Sequence, residues 1–451
     1  MKDFLFGVST AATQIEGGYN QDRKGLSVWD DFSRRGLIEC GHTCYTTCDS
    51  YNRLDEDLAL IKELGINSYR FSINWARIQP DGSGPVNEKG IAYYNRLIDG
   101  LLAMGVKPMV TLFHWDLPLK LHEAGGFLNR DIVERFAEYA KIIAENFGDR
   151  VELFTVFNEP LVVLDFLYVR PVGGGDIVRT NQEVFEGVHN LLLCNAVATN
   201  ALRKYSTKKV QVGLVNCTQL MVPASESAED IEAARSAVFA VGNTVLDNTV
   251  TFWDPLIFGK YDERIIHKFG IDMSFIQPGD MELIQCKPDY MGYNVYFGET
   301  VSSDGNGGWK VVSPSPNATY GDKGGDVIGT ASCMYWGIKF MYERYRMPIY
   351  ITENGIPLIE WVTQQGTVED PMRMDYINRY FAYLMKAKNE GVDIRGYYVW
   401  TLMDNFEWSS GFTRRFGLVY VNFDTGERIK KSSFYGYANM IQRYLKGERN
   451  V

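Results

Sequence analysis

Residues 154–160 read FTVFNEP, an apolar run that ends in an amide, an acid and a proline. Phe154, Val156 and Phe157 suit a buried strand, and Pro160 cannot extend its hydrogen-bond ladder. An acid at a buried strand end is costly unless it is paired or used. The same ending recurs in PIYITENG, residues 348–355, where an apolar run closes on Glu353 and Asn354. Upstream of the first run, Ile132, Phe136, Ala140, Ile143 and Phe147 share one face of a helix. A helix followed by a strand is one α/β unit.

The unit repeats along the chain. Strand-like runs stand at 4–10, 66–73, 107–113, 151–157, 210–216, 289–296, 348–353 and 394–400. Helical patterns carry Leu54, Leu58, Ile61 and Leu64 on one face, and others cover 88–104, 180–204, 332–345, 373–390 and 432–446. Such alternation specifies a parallel sheet. Eight units predict an α/β fold, a single (β/α)8 TIM barrel with long βα loops that takes in residues 1–451 as one catalytic domain. An open Rossmann-like sheet is the runner-up. It is disfavoured because the first strand leads into GVSTAATQIEGG, which is not G-x-G-x-x-G, and no P-loop is present. No Pro/Ser linker, low-complexity tract or short-period repeat divides the chain.

The 451 residues carry a net charge of −10. An acidic chain without a basic patch argues against nucleic acid and anionic membranes as partners. No apolar run reaches membrane-spanning length, and the N-terminus lacks a signal-like h-region, so the expected location is cytoplasmic. Seven cysteines, an odd number, fit reduced thiols better than a disulfide framework. The cluster CGHTCYTTC, with Cys40, His42, Cys44 and Cys48, matches no usual zinc or iron–sulfur spacing and reads as a loop with free thiols. No metal and no cofactor are expected.

In a barrel the C-terminal strand ends converge on one mouth. Gln14 and Glu16 follow the first strand, and Arg70 lies in the second. His114, Trp115 and Asp116 end the third; Asn158 and Glu159 end the fourth. Asn294 and Tyr296 end the sixth, Glu353 and Asn354 the seventh, and Trp400 the eighth, just before LMDNFEWSSGF. The opposite ends carry turn residues such as Gly65, Asn67 and Gly105. A lone strand-end Glu, a lone His or a lone Trp is more often structural. Their gathering at one end is what favours a site. Two acids ringed by amides, a His and Trp faces suit glycoside hydrolysis. A cation and a hydroxyl, Arg70 and Tyr296, favour an ionised Glu353 and hence a nucleophile. A neutral amide beside Glu159 suits a general acid.

The blocks FGVSTAATQIEG, YRFSINWARIQPDG, TLFHWDLP, FNEP, ITENG and VWTLMDNFEWSSGFTRRFGLVYV, in this order, resemble glycoside hydrolase family one, the retaining β-glucosidase group. The resemblance runs from Phe4 to about Tyr444. It implies Glu159 as acid/base and Glu353 as nucleophile, with Arg70, Tyr296 and Asn294 orienting the nucleophile. It implies Asn158 on the sugar 2-hydroxyl, and Gln14, His114, Glu407 and Trp408 on the other hydroxyls. Trp400 would be the platform beneath the ring, and Trp115 and Phe416 would complete the substrate-binding set. The implied reaction is hydrolysis of a terminal unphosphorylated β-D-glycosyl residue from a small glycoside or oligosaccharide, with β-galactosidase or β-fucosidase activity beside the β-glucosidase.

Relatives that act on 6-phosphosugars carry Ser at the position of Glu407, and Lys and Tyr where this chain has Arg414 and Phe416. A phosphate beside Glu407 would be repelled, although Arg414 and Arg415 are good phosphate binders. The alternatives are therefore a 6-phospho-β-glucosidase or a catalytically silent sugar-binding barrel. The sequence departs from the family pattern in LVVLDFLYVRPVGGGD after FNEP, in DVIGTASCMYWG, and at Ser50, where a His is common. The first two departures, near 161–176 and 325–335, bear on the leaving-group side. A shorter rim there opens the site to larger aglycones, as a comparison of cellobiose with aryl and steroid glucosides would test.

Overall fold

The computed structural model describes residues 4–172, 179–218, 220–313, 316–319 and 329–447. Eight parallel strands close into a barrel in the order β1-β8-β7-β6-β5-β4-β3-β2. They are β1 (Leu5–Ser9), β2 (Ser68–Ser72), β3 (Lys107–Phe113), β4 (Leu153–Asn158), β5 (Gln211–Asn216), β6 (Tyr290–Asn294), β7 (Ile349–Asn354) and β8 (Ile394–Trp400). All eight fall on the runs read from the sequence. Each lies between helices because the strands are buried along their length, save exposed Lys107 in β3 and half-buried Gln211 in β5 and Arg395 in β8, and both faces need cover.

The helices Leu54–Leu64, Glu88–Ala103, Ile132–Phe147, Asn181–Tyr205, Cys333–Tyr345, Pro371–Asn389 and Ser432–Leu445 form much of that outer layer. In Ile132–Phe147 the five apolar residues singled out from periodicity are all buried. The bottom of the barrel is plugged by Leu5, Met109, Leu153, Tyr290, Tyr350 and Tyr398. Two strand glycines make room for this plug. A Cβ on Gly7 would stand 2.3 Å from the Tyr398 ring, and one on Gly213 would stand 2.3 Å from Tyr290. The Asn67 side chain pins the first strand by accepting from Phe6 N at 2.7 Å and donating to Phe4 O at 3.0 Å.

The stretches on either side of β6 hold more than the sequence pattern shows. Leu220–Pro223 pairs in parallel with Gly298–Ser303, which pairs antiparallel with Trp309–Val311 to make a side sheet. These strands are short, and two are joined across a long interval, so no local period announces them. After β4 the chain forms the helix Pro160–Leu164 and a π-helical turn over Asp165–Val169. Residues 173–176 and 325–328 of the two departing loops lie outside the described residues. Among the described residues, no helix is long and apolar enough to cross a membrane.

Candidate active site

Strand endings deliver the site. β4 runs through Asn158, and Glu159 then leaves it in the left-handed region at φ 46°. Pro160 follows as the first residue of a helix, where its missing N–H costs nothing. Trp115 (φ 73°) and Trp408 (φ 53°) at the same mouth share that uncommon backbone. Non-glycine residues hold such a conformation only where the surroundings impose it.

Glu353 is the penultimate residue of β7 and is almost wholly buried. Arg70 Nη1 donates to its Oε1 at 2.7 Å, and Tyr296 Oη donates to its Oε2 at 2.6 Å. Each carboxyl oxygen thus accepts from its own donor. Burial, with Glu353 and then Glu159 nearby, raises the Tyr296 pKa well above the phenol range, so the hydroxyl keeps its proton and stays a donor. Arg70 reaches on with Nη2 to Asn158 Oδ1 at 2.6 Å. Asn294 Nδ2 donates to that same oxygen at 3.1 Å and to Glu159 Oε1 at 2.6 Å. Thr352 Oγ1 fixes the amide by donating to Asn294 Oδ1 at 2.7 Å. One guanidinium and two amides thus join the two carboxyls.

The remaining residues form the wall. Asn158 Nδ2 lies 2.9 Å from His114 Nε2. Because Asn158 Oδ1 already accepts twice, its nitrogen donates and Nε2 accepts, which puts the ring proton on Nδ1. Burial first, and then Arg70, holds the His114 pKa well below its ordinary value, in keeping with a neutral ring. Gln14 Nε2 donates to Asn405 Oδ1 at 3.1 Å, Phe406 O at 2.9 Å and Glu407 Oε2 at 3.3 Å. Among the described residues, Gln14 Oε1 and His114 Nδ1 are buried without a protein partner. An acceptor and a donor left over in one pocket suit hydroxyls, which supply both functions. The His114 ring stacks 6.0 Å from Trp400 and 5.8 Å from Trp408. Phe416 meets Tyr296 edge-on at 6.1 Å.

Several residues expected at the mouth are engaged elsewhere. Glu16 accepts from Arg77 Nε at 2.7 Å and Tyr94 Oη at 2.5 Å. It is the C-cap of the short helix Ala12–Ile15 that follows β1. Asn354 donates to Val295 O at 2.7 Å and Tyr376 Oη at 3.0 Å, and accepts from Tyr397 Oη at 2.6 Å. Arg415 donates to Asp404 at 2.7 Å and lies 4.0 Å over the Tyr420 ring, so its guanidinium is taken up by structure. In the cysteine cluster, Cys48 donates to Asp404 O at 3.1 Å, Cys44 lies beside Ser33, and Cys40 is exposed. His42 Nδ1 accepts from Phe412 N at 3.1 Å. These side chains point to different partners.

Asp116 is fully buried, and its Oδ1 accepts a long 3.4 Å contact from His114 N. Burial pushes its pKa up to about 8. An unfolded Asp ionises near pH ~4. Between these values the native chain binds the extra proton, so stability falls as pH rises, by about 1.4 kcal/mol per unit from this group. Asp116→Asn is expected to flatten that decline. Denaturant unfolding at pH 5, 7 and 9 checks it, and an unchanged slope would refute it.

The family model described as glycosyl hydrolase family 1 matches residues 1–445. Beta-glucosidase A of Thermotoga maritima is 40% identical over 444 residues, covering 97% of each chain. Beta-glucosidase A of Acetivibrio thermocellus is 40% identical over 451 residues, covering 98% of each. The structure of the Thermotoga maritima beta-glucosidase in complex with glucoimidazole superposes with a TM-score of 0.87 at 39% identity, covering 98% of both chains.

Proposed function

Because the chain belongs to glycosyl hydrolase family 1, we propose that it hydrolyses terminal β-D-glucosyl residues with retention, Glu353 acting as nucleophile and Glu159 as acid/base. The enzyme class rests on the family and on relatives named beta-glucosidase. One observation carries the assignment of roles: Glu353 is held between a guanidinium and a phenol, whereas Glu159 accepts from a neutral amide. The first environment favours the carboxylate and the second tolerates the acid. Glu159 then protonates the leaving oxygen as Glu353 attacks the anomeric carbon. In the second step Glu159 takes a proton from water, and the glycosyl–Glu353 bond breaks.

Gln14, Glu407 and His114 would hold the hydroxyls of the terminal sugar, Asn158 its 2-hydroxyl, with Trp400 and Trp408 as walls. Trp115 and Phe416 would close the same pocket. The clamp on the C4 hydroxyl would tolerate both epimers enough to give some β-galactosidase or β-fucosidase activity. Glu407 argues against a 6-phosphate, and the engagement of Arg415 by Asp404 removes one of the two cations that favoured it. Protons and one carboxylate suffice, so no metal step is needed, and a cytoplasmic location remains our reading of the sequence.

Hydrolysis of an aryl β-D-glucoside at neutral pH with EDTA, beside its 6-phosphate, tests the reading. Cleavage of the plain glucoside with no turnover of the phosphate is expected. Preference for the phosphate would overturn the Glu407 argument, and cleavage of neither would favour a binding role.

A further inference from the structure

Glu159 stands on a peptide bond that is gripped at both ends. The Glu159 N–H donates to Val215 O of β5 at 2.9 Å. The carbonyl of the same peptide, Asn158 O, accepts from the Trp115 indole N–H at 3.0 Å. The β3–β4 register ends at the pair Phe113–Phe157. Trp115 has there turned into left-handed backbone, and its side chain supplies a donor on the β3 side. Trp115 is itself held, since Trp29 Nε1 donates to Trp115 O at 3.1 Å. Two indoles in series thus run from the helix Val28–Arg34 to the turn that aims Glu159.

We propose that Trp115 is a positioning residue for the acid/base. Its indole N–H fixes the orientation of the Asn158–Glu159 peptide and, through it, the direction of the Glu159 carboxyl. The inference rests on the reading of Glu159 as acid/base. The physical reason lies in the backbone. At φ 46° Glu159 is outside the conformations an L-residue prefers, so the peptide before it would relax by rotation if either grip were lost. Rotation moves the carboxyl, and proton transfer is steep in geometry. The ring of Trp115 also packs 4.5 Å from that of Trp408. The test must therefore separate the N–H from the ring.

Trp115→Phe keeps an aromatic ring and deletes the donor. The readout is kcat/KM, which reports the first step, on two β-glucosides. One is an alkyl glucoside, whose leaving group needs a proton. The other is the 2,4-dinitrophenyl glucoside, whose leaving group does not. Rates are expressed per active site titrated with a slow fluoroglucoside, so misfolded protein drops out. The expected result is a loss roughly tenfold larger on the alkyl glucoside than on the activated one, with a shifted alkaline limb of the pH profile. Trp29→Phe, which frees the Trp115 carbonyl, should show a smaller split of the same sign and serves if the first variant does not fold. Equal losses on both substrates would make Trp115 only a wall of the sugar pocket and overturn the proposal, as would no loss at all. Glu159→Ala runs alongside. A split there without one in Trp115→Phe or Trp29→Phe sinks the indole role alone. No split in Glu159→Ala removes the premise and sinks both.

Discussion

Glu353→Ala is expected to lower kcat/KM for an aryl β-D-glucoside by at least about 10⁴-fold, and azide is expected to restore turnover with the opposite anomer. The argument follows from what surrounds the side chain. Glu353 Oε1 and Oε2 are held by Arg70 Nη1 and Tyr296 Oη at 2.7 and 2.6 Å. Truncation to alanine leaves those two donors facing the vacated space. A small anion fits there electrostatically, on the face from which the carboxylate attacked. Azide then displaces the leaving group directly, and the product is α-glucosyl azide rather than a β-configured sugar. Proton NMR of the product reads the anomeric centre. Undiminished activity, or rescue that yields the β-azide, would remove Glu353 from the nucleophile role. Glu159→Ala marks the contrast: there azide would attack the glycosyl–enzyme and give the β-product.

The legible part of this molecule is what a strand repeats locally. The runs ending in Glu159 and Glu353 could be read because each buried strand is a short apolar segment closed by a change in chemistry. Barrel topology then brings their ends together whatever their separation in the chain. Neither the bridge through Asn294 nor its fixing by Thr352 could be read. They depend on the register of β6 against β7, which shifts between Ile351 and Glu353. Glu16 misled for the opposite reason: its position after β1 is right for the mouth, but a short helix turns it toward Arg77. The indole of Trp115 reads from sequence as a sugar wall, since nothing in a string of letters shows which way an N–H points. Least legible is the charge network behind the loop of Glu407, where Asp404 and Lys431 are 27 residues apart and Glu360 and Lys431 are 71 apart.

That network supports the second large expectation. Lys431 is fully buried, with its Nζ 2.8 Å from Asp404 Oδ1 and in contact with Glu360 Oε2. Asp404 also accepts from Gly417 N at 2.9 Å and Arg415 at 2.7 Å. Arg373 pairs with Glu360 and with Asp370 at 2.8 Å, and donates to Phe416 O at 3.0 Å. Burial lowers the Lys431 pKa and raises that of Glu360, each opposed by the partners' charges. Neither is comfortable in the interior alone. Lys431→Met keeps the stem and removes the charge, leaving Asp404 and Glu360 with a deficit of cation in a dry site. Breaking one side of such a buried pair costs about 3–5 kcal/mol of folding free energy. The loss is expected to be partly recovered in Lys431→Met/Glu360→Gln, because the second change removes the stranded charge. Activity should fall as well. Asp404 anchors the loop whose next residues, Asn405 and Phe406, accept from Gln14 and present Glu407. Urea unfolding of the single and double variants, with KM for the glucoside measured on each, reads both effects. A single variant as stable as the parent would mean that the remaining arginines neutralise the acids by themselves. A stable variant with raised KM would instead separate the network's role in shaping the sugar clamp from its role in holding the barrel together.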